Sequence, residues 1–318
     1  MNKEKIRTQL KGPVFPIITP FKEDKLNSID YDAATAYVDF LYDNGVRNFY
    51  VMTYNSRFSL LSWDEMKQLN EVITNQIKSK EEKCISIVAD PLTNPTHVSI
   101  DFAQHAESCG ADVLSMIFME RHYNDDQVFN HFNTVAQNSN IGILVHEQKL
   151  PSKSGDHILY PLDLLDRIAD IENVIALKED SKQPVFSESV IKRVGDRLNI
   201  IISGLSKRQF VHFHYMGCDG YLVGVGSFAP RVSLRFYQAC LENDMETAWG
   251  IINEIERPFL EAGMKYGWHP ALKSAMSEIG LMSRCERSPL VQIPSSDHKE
   301  LCKVLDQIQN SPYYLPSL

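Results

Sequence analysis

Short apolar segments recur along the first 225 residues of the chain, with longer polar stretches between them. Each is at most seven residues long, and none alternates cleanly between apolar and polar positions. Continuous apolar runs of this kind are typical of strands buried on both faces, as in a parallel sheet. The eight segments are VFPIIT (14–19), NFYVMT (48–53), CISIVAD (84–90), VLSMIF (113–118), IGILVH (141–146), VIALKE (174–179), NIIISG (199–204) and GYLVGV (220–225).

Stretches with helical periodicity lie between the apolar segments. In YDAATAYVDFLYDNG, Ala34, Val38 and Leu41 share one face, and Gly45 suits the position that follows the end of a helix. One such helix between successive strands is the connection that parallel strands require. Helices are predicted at 31–45, 62–77, 96–110, 126–138 and 162–171.

Eight strand–helix units that close on themselves form an α/β fold, the (β/α)8 TIM barrel, which usually takes about 250 residues. A doubly wound open sheet is the alternative, but the eight units and the absence of GxGxxG after the first segment favour closure. Four helical stretches follow the last strand, without a Gly/Ser/Pro-rich linker. We therefore predict a barrel over residues 1–235 and a C-terminal helical extension, residues 236–318, packed on it.

Net charge, hydropathy and cysteine spacing argue against several classes of protein. The formal net charge of -9 argues against a general nucleic-acid binder, which normally has a basic patch. No apolar run approaches the roughly 18 residues of a membrane span, and the polar start MNKEKIRTQLKG does not resemble a signal peptide. The six cysteines are scattered and form no CxxC pair, as expected for reduced thiols in a cytoplasmic protein. We find no spacing typical of metal ligands and no phosphate loop, so no metal and no cofactor are expected.

Lys178 is the first candidate for chemistry, because barrel active sites lie at the C-terminal ends of the strands and Lys178 ends the sixth apolar run. Desolvation there would disfavour the ammonium and yield an amine nucleophile for a carbonyl carbon. From the residue alone, an ordinary ion pair with Glu179 or Asp180 is the more common explanation. Strand alternation sends Glu179 to the opposite face, so Asp180 is the partner expected beside Lys178.

The segment VIALKEDS resembles the Schiff-base segment of the dihydrodipicolinate synthase/N-acetylneuraminate lyase family, which reads roughly I-x-G-I-K-(D/E)-(S/A). Further stretches resemble that family in the same order and spacing: PIITPF (16–21), 28–46, LLSWDEM (60–66), GADVL (110–114), GCDGYLVGVGSFAP (217–230) and ERSPL (286–290). The resemblance implies a class I lyase, aldolase or hydro-lyase in which Lys178 forms an imine with a 2-oxo acid. It also implies a homo-oligomer, a tetramer built as a dimer of dimers.

Two departures from the family pattern fall at its functional positions. Where the family has GTTGE to hold a substrate carboxylate, this chain has Thr53 and Tyr54 followed by Asn55, Ser56 and Arg57. Asn55 and Ser56 can still donate hydrogen bonds to a carboxylate. Arg57 could pair with it or, equally, form an ordinary ion pair.

The second departure is the family's proton-transferring tyrosine on strand five, because ungapped alignment puts Val145 in its place. His146, Glu147 and Tyr54 are the candidates to replace it. Lys153 stands where many members have an arginine for a distal carboxylate, and Tyr123 follows the segment that carries the family's intersubunit tyrosine. Gly204 and Val223, in the seventh and eighth runs, complete the predicted substrate-binding set.

The predicted function is thus a Schiff-base-forming lyase acting on a pyruvate-type or sugar-acid-derived 2-oxo acid. The partners expected are this small molecule and further copies of the chain, with no nucleic acid and no membrane. The absence of the family's tyrosine supports an alternative hypothesis, in which the chain is a non-catalytic family member that binds a small oxo acid or sugar acid in a regulatory role. A metal-dependent barrel lyase lacks ligands in the sequence.

Overall fold

Eight parallel strands form a closed barrel in this computed structural model. The description covers residues 3–92, 94–118, 124–148, 150–151, 157–203 and 207–318, and excludes the side chains of 148, 150, 151, 157 and 158. Each strand pairs with its neighbours in the chain, and the last closes onto the first. The strands are β1 (Gly12–Pro16), β2 (Asn48–Tyr50), β3 (Ile85–Ala89), β4 (Val113–Met116), β5 (Gly142–Gln148), β6 (Val174–Asp180), β7 (Asn199–Ile202) and β8 (Gly220–Leu222). Each predicted run supplies one strand, so the closed barrel is confirmed and the open sheet is excluded.

Helices surround the barrel and continue after it. They are α1 (Lys3–Gln9), α2 (Tyr31–Asp43), α3 (Trp63–Lys78), α4 (Thr96–Ser108), α5 (Asp125–Gln137), α6 (Leu162–Ala169), α7 (Pro184–Val194), α8 (Lys207–Phe213), α9 (Pro230–Leu241), α10 (Met245–Ile251), α11 (Arg257–Tyr266), α12 (Trp268–Glu278) and α13 (Ser295–Gln309). A short π-helical segment, Ile252–Glu256, joins α10 to α11. The predicted helices are present to within a few residues, whereas α1 and α7 were not predicted. Helix α9 crosses residue 235, and the division of the chain there stays a prediction.

Both faces of the barrel strands are buried, which explains their continuous apolar sequences. One cluster fills the barrel interior with alternate strand residues such as Val14, Ile87 and Leu144, and Ile6 and Leu10 from the α1 end of the chain join it. The second, larger cluster lies between the strands and the surrounding helices. Alternate residues of one strand therefore enter different cores, and both must be apolar.

Barrel closure depends on a glycine where β8 meets β1. Gly220 pairs with Gly12 in that register. A Cβ atom on Gly220 would lie 2.2 Å from the carbonyl oxygen of Gly12. Because non-bonded atoms cannot approach so closely, the two strands can pair here only without a side chain at position 220.

The C-terminal helices reach the end of the barrel where the strands terminate. His269, in the first turn of α12, places its Nε2 atom 2.9 Å from Oδ1 of Asn55, which follows β2. Within the described ranges, no helix is long and apolar enough to cross a membrane. The helical extension therefore contributes residues to the same end of the barrel as the strand termini.

Candidate active site

Lys178 lies inside the barrel near the C-terminal end of β6, and its side chain is fully buried. Its Nζ atom is 2.8 Å from Oδ2 of Asp180 and 3.0 Å from Nε2 of His146. Glu179 turns to the other face of the strand, where its carboxylate accepts a hydrogen bond from the Ser181 N–H at 2.8 Å. Strand alternation thus selects Asp180 as the carboxylate beside the lysine, as the sequence predicted.

His146 occupies the inward position on β5 opposite Lys178, and the two residues are direct partners in the strand register. The neighbouring Val145 lies in the outer hydrophobic cluster. His146 therefore faces the lysine, and Val145, which ungapped alignment puts in the place of the family's tyrosine, faces the surrounding helices. An imidazole 3.0 Å from an amine is within reach for direct proton transfer.

Tyr50 and Ser115 extend this buried polar group toward the centre of the barrel. The Tyr50 hydroxyl is hydrogen-bonded to Ser115 and lies 3.5 Å from Nδ1 of His146. Burial raises the pKa of Tyr50 well above its usual range, so the phenol stays protonated. If the Lys178 ammonium donates to Nε2, neutral His146 carries its proton on Nδ1, facing the tyrosine. Tyr50 was not predicted because it lies within an apolar run.

Asp180 supplies the negative charge of the site. Burial would raise its pKa, but the positive charge of Lys178, together with His146, outweighs burial and holds the pKa of this carboxyl well below its usual range. Its Oδ2 atom binds Lys178, while Oδ1 is buried without a hydrogen-bond partner among the described residues. A buried carboxylate oxygen is costly to leave unpaired, so Oδ1 is suited to accept a hydrogen bond from a ligand or water.

The loop after β2 is held by its own hydroxyl groups. The Ser56 hydroxyl donates to the Ile17 carbonyl at 2.6 Å and accepts from the Met52 N–H at 3.1 Å. Thr19 donates to the Ser56 carbonyl at 2.7 Å. The Arg57 guanidinium forms a buried ion pair with Glu286 at 2.8 Å. The contacts of Ser56 and Arg57 are therefore with the protein, and they make the loop rigid.

Asn55, like Tyr54 before it, lines the open space at the strand ends. The pKa of His269 is lowered to about 3 by burial and by the nearby charges of Arg57 and Lys273, so its ring is neutral. With the neutral ring protonated on Nε2, His269 donates to Oδ1 of Asn55. This bond occupies the carbonyl oxygen of the amide and leaves its NH₂ group for a ligand.

A cavity of about 220 Å³ opens at the strand ends beside these residues. It is lined by Met52, Tyr54, Asn55, Asp180, Lys182, Ser203, Leu222, Val223, Gly224, Trp268 and His269. The volume is below the usual 300–1,000 Å³ of drug-sized sites, so the space suits a compact ligand. Asp180 links this cavity to Lys178, which its carboxylate contacts directly.

Comparison with known proteins places this barrel in a family. The model of the dihydrodipicolinate synthetase family matches residues 9–308. The chain belongs to that family. Members of the dihydrodipicolinate synthetase family are class I lyases, so the predictions of family and enzyme class are both confirmed.

Relatives match over nearly their full length at low identity. A DapA-like lyase of Thermococcus onnurineus is 27% identical, with 92% of this chain and 96% of the relative covered. A 4-hydroxy-tetrahydrodipicolinate synthase of Methanothrix thermoacetophila is 26% identical, with 93% and 97% covered. This chain is therefore a divergent member of the family.

Solved structures show the same fold. The dihydrodipicolinate synthase of Oceanobacillus iheyensis superposes with a TM-score of 0.82 at 17% identity, covering 96% of this chain and 98% of that one. YagE, a prophage protein of the same family from E. coli K12 in complex with pyruvate, gives 0.81 at 20% identity, with 94% and 99% covered.

Among the other predicted residues, Tyr54 and Val223 line the cavity, and the Tyr54 ring lies edge-on to His146 with centroids 6.4 Å apart. Glu147 lies on the outward face of β5 and accepts a hydrogen bond from the Tyr160 N–H at 2.6 Å, so the fold does not bring it to Lys178. Lys153, Tyr123 and Gly204 lie outside the described residues. Lys182 lines the cavity and was not predicted, although it lies only four residues beyond the Schiff-base candidate.

Asp180→Asn is expected to change both stability and pH dependence. The Lys178 ammonium would lose the carboxylate that lies 2.8 Å from its Nζ atom and would remain in the barrel interior without this counter-charge. Near neutral pH the variant should be less stable by about 3 kcal/mol in denaturant unfolding, the usual cost of breaking a buried ion pair.

The stability difference should depend on pH with a definite sign. A carboxyl with a depressed pKa stabilises the folded state above its unfolded pKa, near 3.9, and this contribution is lost as the pH falls toward the folded value. The gap between wild type and Asp180→Asn should therefore narrow below about pH 4. If the difference in the free energy of unfolding between the two proteins stayed constant as the pH falls, the ion pair would not be the cause of that difference.

Proposed function

We propose that this enzyme is a lyase that binds a small 2-oxo acid as an imine on Lys178. The observation that supports this most directly is the position of Lys178 Nζ, buried at the C-terminal end of the barrel within 3.0 Å of both an imidazole nitrogen and a carboxylate oxygen. A lysine nucleophile needs a base to remove its proton and a means of stabilising the later iminium charge. His146 and Asp180 supply these two functions separately.

Imine formation begins when the Lys178 ammonium transfers a proton to Nε2 of His146. The free amine attacks the keto carbon, and a proton moves from the attacking nitrogen to the carbonyl oxygen to give a carbinolamine. The imidazolium then returns a proton to the departing hydroxyl, and water leaves as the iminium forms. The carbinolamine hydroxyl can donate to Oδ1 of Asp180, which has no partner among the described residues.

The iminium is the electron sink for the reaction. Its positive charge takes the place of the ammonium charge beside Asp180, 2.8 Å away in the resting enzyme. When the C–C bond one carbon removed from the former keto carbon breaks, its electron pair flows into the iminium and gives an enamine. For loss of water, removal of a proton from the carbon next to the former keto carbon gives the enamine first, and the enamine electrons then expel the hydroxyl group from the following carbon. His146 is placed to move the accompanying proton, with Tyr50 and Ser115 behind it as hydrogen-bonding groups.

The carboxylate of the 2-oxo acid is expected to bind between Asn55 and Lys182, both of which line the cavity. The Asn55 amide is oriented by His269, and the ammonium of Lys182 adds a positive charge. Ser56, predicted to bind this carboxylate directly, supports Asn55 by fixing the loop. The small cavity favours a pyruvate-type substrate, in agreement with the pyruvate complex of the E. coli relative.

The proposal is tested by borohydride reduction of the protein in the presence of pyruvate and several longer 2-oxo acids. A protein–substrate imine is reduced to a stable secondary amine, which intact mass detects and peptide mapping locates. We expect one adduct per chain, on Lys178. If no acid gives an adduct but one still binds by calorimetry, the non-catalytic interpretation replaces this proposal.

We also propose that the chain assembles as a homotetramer, as the family resemblance implies. Most of segment 118–123, predicted to lie near an interface, falls outside the described residues. Light scattering should give a mass of four 36.3 kDa chains at micromolar concentration. A monomer mass under these conditions would refute the assembly without affecting the chemistry at Lys178.

A further inference from the structure

Three side chains of different chemical types converge where α12 packs against α13. Glu278 ends α12, while His298 and Cys302 lie one turn apart on α13. The Sγ atom of Cys302 is 3.3 Å from Oε2 of Glu278 and 3.7 Å from Nε2 of His298. The third side of the triangle, from His298 Nε2 to Glu278 Oε2, is 3.5 Å.

These three separations match one face of a tetrahedral zinc complex. Zinc binds thiolate sulfur at about 2.3 Å, imidazole nitrogen at about 2.0–2.1 Å and carboxylate oxygen at about 2.0–2.2 Å. Tetrahedral angles between such bonds place the ligand atoms about 3.3–3.6 Å apart. The observed triangle agrees with this geometry to within a few tenths of an ångström before any rearrangement.

Ser274 adds an independent feature that is typical of a metal site. It lies one turn before Glu278 on α12, is fully buried, and its hydroxyl is hydrogen-bonded to Nδ1 of His298. Imidazole ligands in metal sites are usually held in this way through the ring nitrogen that does not bind the metal. The contact occupies Nδ1 of His298 and leaves Nε2 as the ring nitrogen for a metal, 3.5 Å from Oε2 of Glu278.

We propose that Glu278, His298 and Cys302 form a zinc-binding site, with water in the fourth position. A thiolate and a carboxylate together neutralise the charge of the divalent ion. Zinc would bind the neutral form of the His298 ring. The pKa of Cys302 is raised to about 11 by burial and by Glu278, so zinc binding must displace the thiol proton.

The site would join the last two long helices of the chain. It lies at the opposite end of α12 from His269, about 14 Å away along the helix axis. Among the described charged groups that act on it, Arg284 opposes a cation and Asp306 favours one. Bound zinc would therefore stabilise α12 at the end of the helix that lies away from the imine site.

A second group on the barrel provides a matched control. Glu71, His105 and Cys109 also combine a histidine and a cysteine one turn apart with a glutamate from the adjacent helix. Among the described contacts of His105, no buried hydroxyl orients the ring, whereas the Ser274 hydroxyl orients that of His298. We expect this second group to bind zinc weakly or not at all.

The experiment uses the full chain, stripped of metal with a chelator and titrated with zinc against a chromophoric competitor. Wild type and Cys109→Ser should each bind one equivalent with the same affinity. Cys302→Ser and Glu278→Gln should bind at least about 100-fold more weakly, and Ser274→Ala about 10- to 100-fold more weakly. Cobalt should give a thiolate charge-transfer absorption in wild type and Cys109→Ser that is absent from Cys302→Ser.

Zinc should also raise the melting temperature of wild type and of Cys109→Ser, but not that of Cys302→Ser. Two ligand variants, Cys302→Ser and Glu278→Gln, are included so that the test still stands if one of them does not fold. The proposal would be overturned if wild type took up no zinc. It would also be overturned if uptake were lost in Cys109→Ser rather than in Cys302→Ser, or if Ser274→Ala kept full affinity. Borohydride trapping on Lys178 is unaffected by these outcomes, so the two proposals fail independently.

Discussion

Lys178→Arg should abolish borohydride trapping with every 2-oxo acid that modifies the wild type and should lower turnover by about 10⁴-fold or more. Arginine keeps a positive charge beside Asp180, which in the wild type is 2.8 Å from the lysine nitrogen. Its guanidinium stays protonated and does not act as an amine nucleophile. The substitution therefore removes the nucleophile while keeping the charge. Intact mass measures the loss of trapping, and steady-state kinetics measures the loss of turnover.

A second buried lysine provides the control for this substitution. Lys207 is buried, forms an ion pair with Glu256, and does not line the cavity at the strand ends. Lys207→Arg should keep the adduct and its location. Circular dichroism and thermal unfolding should show that both variants are folded. An adduct that persists in Lys178→Arg, or that maps to Lys153 or Lys273, would show that the imine forms on another lysine.

His146→Gln should slow imine formation by about 10²–10⁴-fold while leaving the affinity for the 2-oxo acid nearly unchanged. Glutamine can still accept a hydrogen bond from the Lys178 nitrogen, which lies 3.0 Å from His146 Nε2 in the wild type. It cannot take up and return a proton in the neutral pH range. Quenched-flow reduction with borohydride measures the rate, and the adduct should eventually reach the wild-type amount.

His131→Gln is the matched control for the histidine substitution. His131 is also buried, its pKa is lowered to about 4 by burial, and it contacts Thr96 and Phe118 outside the barrel interior. We expect wild-type rates of imine formation in this variant. Equal slowing in the two variants would trace the effect to general destabilisation, and an unchanged rate in His146→Gln would assign proton transfer to another group.

Local sequence pattern was sufficient for the architecture of this protein. A strand buried on both faces must be apolar throughout, and a surface helix must be apolar on one face, so the eight strands and most helices were predictable. Lys178 was recognisable because a lysine that ends an apolar strand of a barrel is unusual, and because its flanking residues resemble those of a lyase family. Strand period alone also placed Asp180 beside it.

The local sequence pattern did not predict which side chain of strand five faces Lys178. Ungapped alignment put Val145 in the place of the family's tyrosine, whereas the register of β5 against β6 puts His146 opposite the lysine. The register in this pair shifts between Ile143 and Leu144, an irregularity that sequence spacing does not reveal. A shift of one residue exchanges the two faces of a strand, so only the paired strands could decide which side chain faces Lys178.

The remaining partners in the site come from distant parts of the chain. Tyr50 and His146 are 96 residues apart, Arg57 and Glu286 are 229 apart, and His269 is 214 residues from Asn55. No periodic pattern connects positions so far apart. Hydrophobic pattern determined the strands and the helices, and it drew attention to Lys178 near the end of β6. Barrel closure and the packing of α12 decided which polar groups share the buried space around that lysine, because those contacts exist only after the chain has folded.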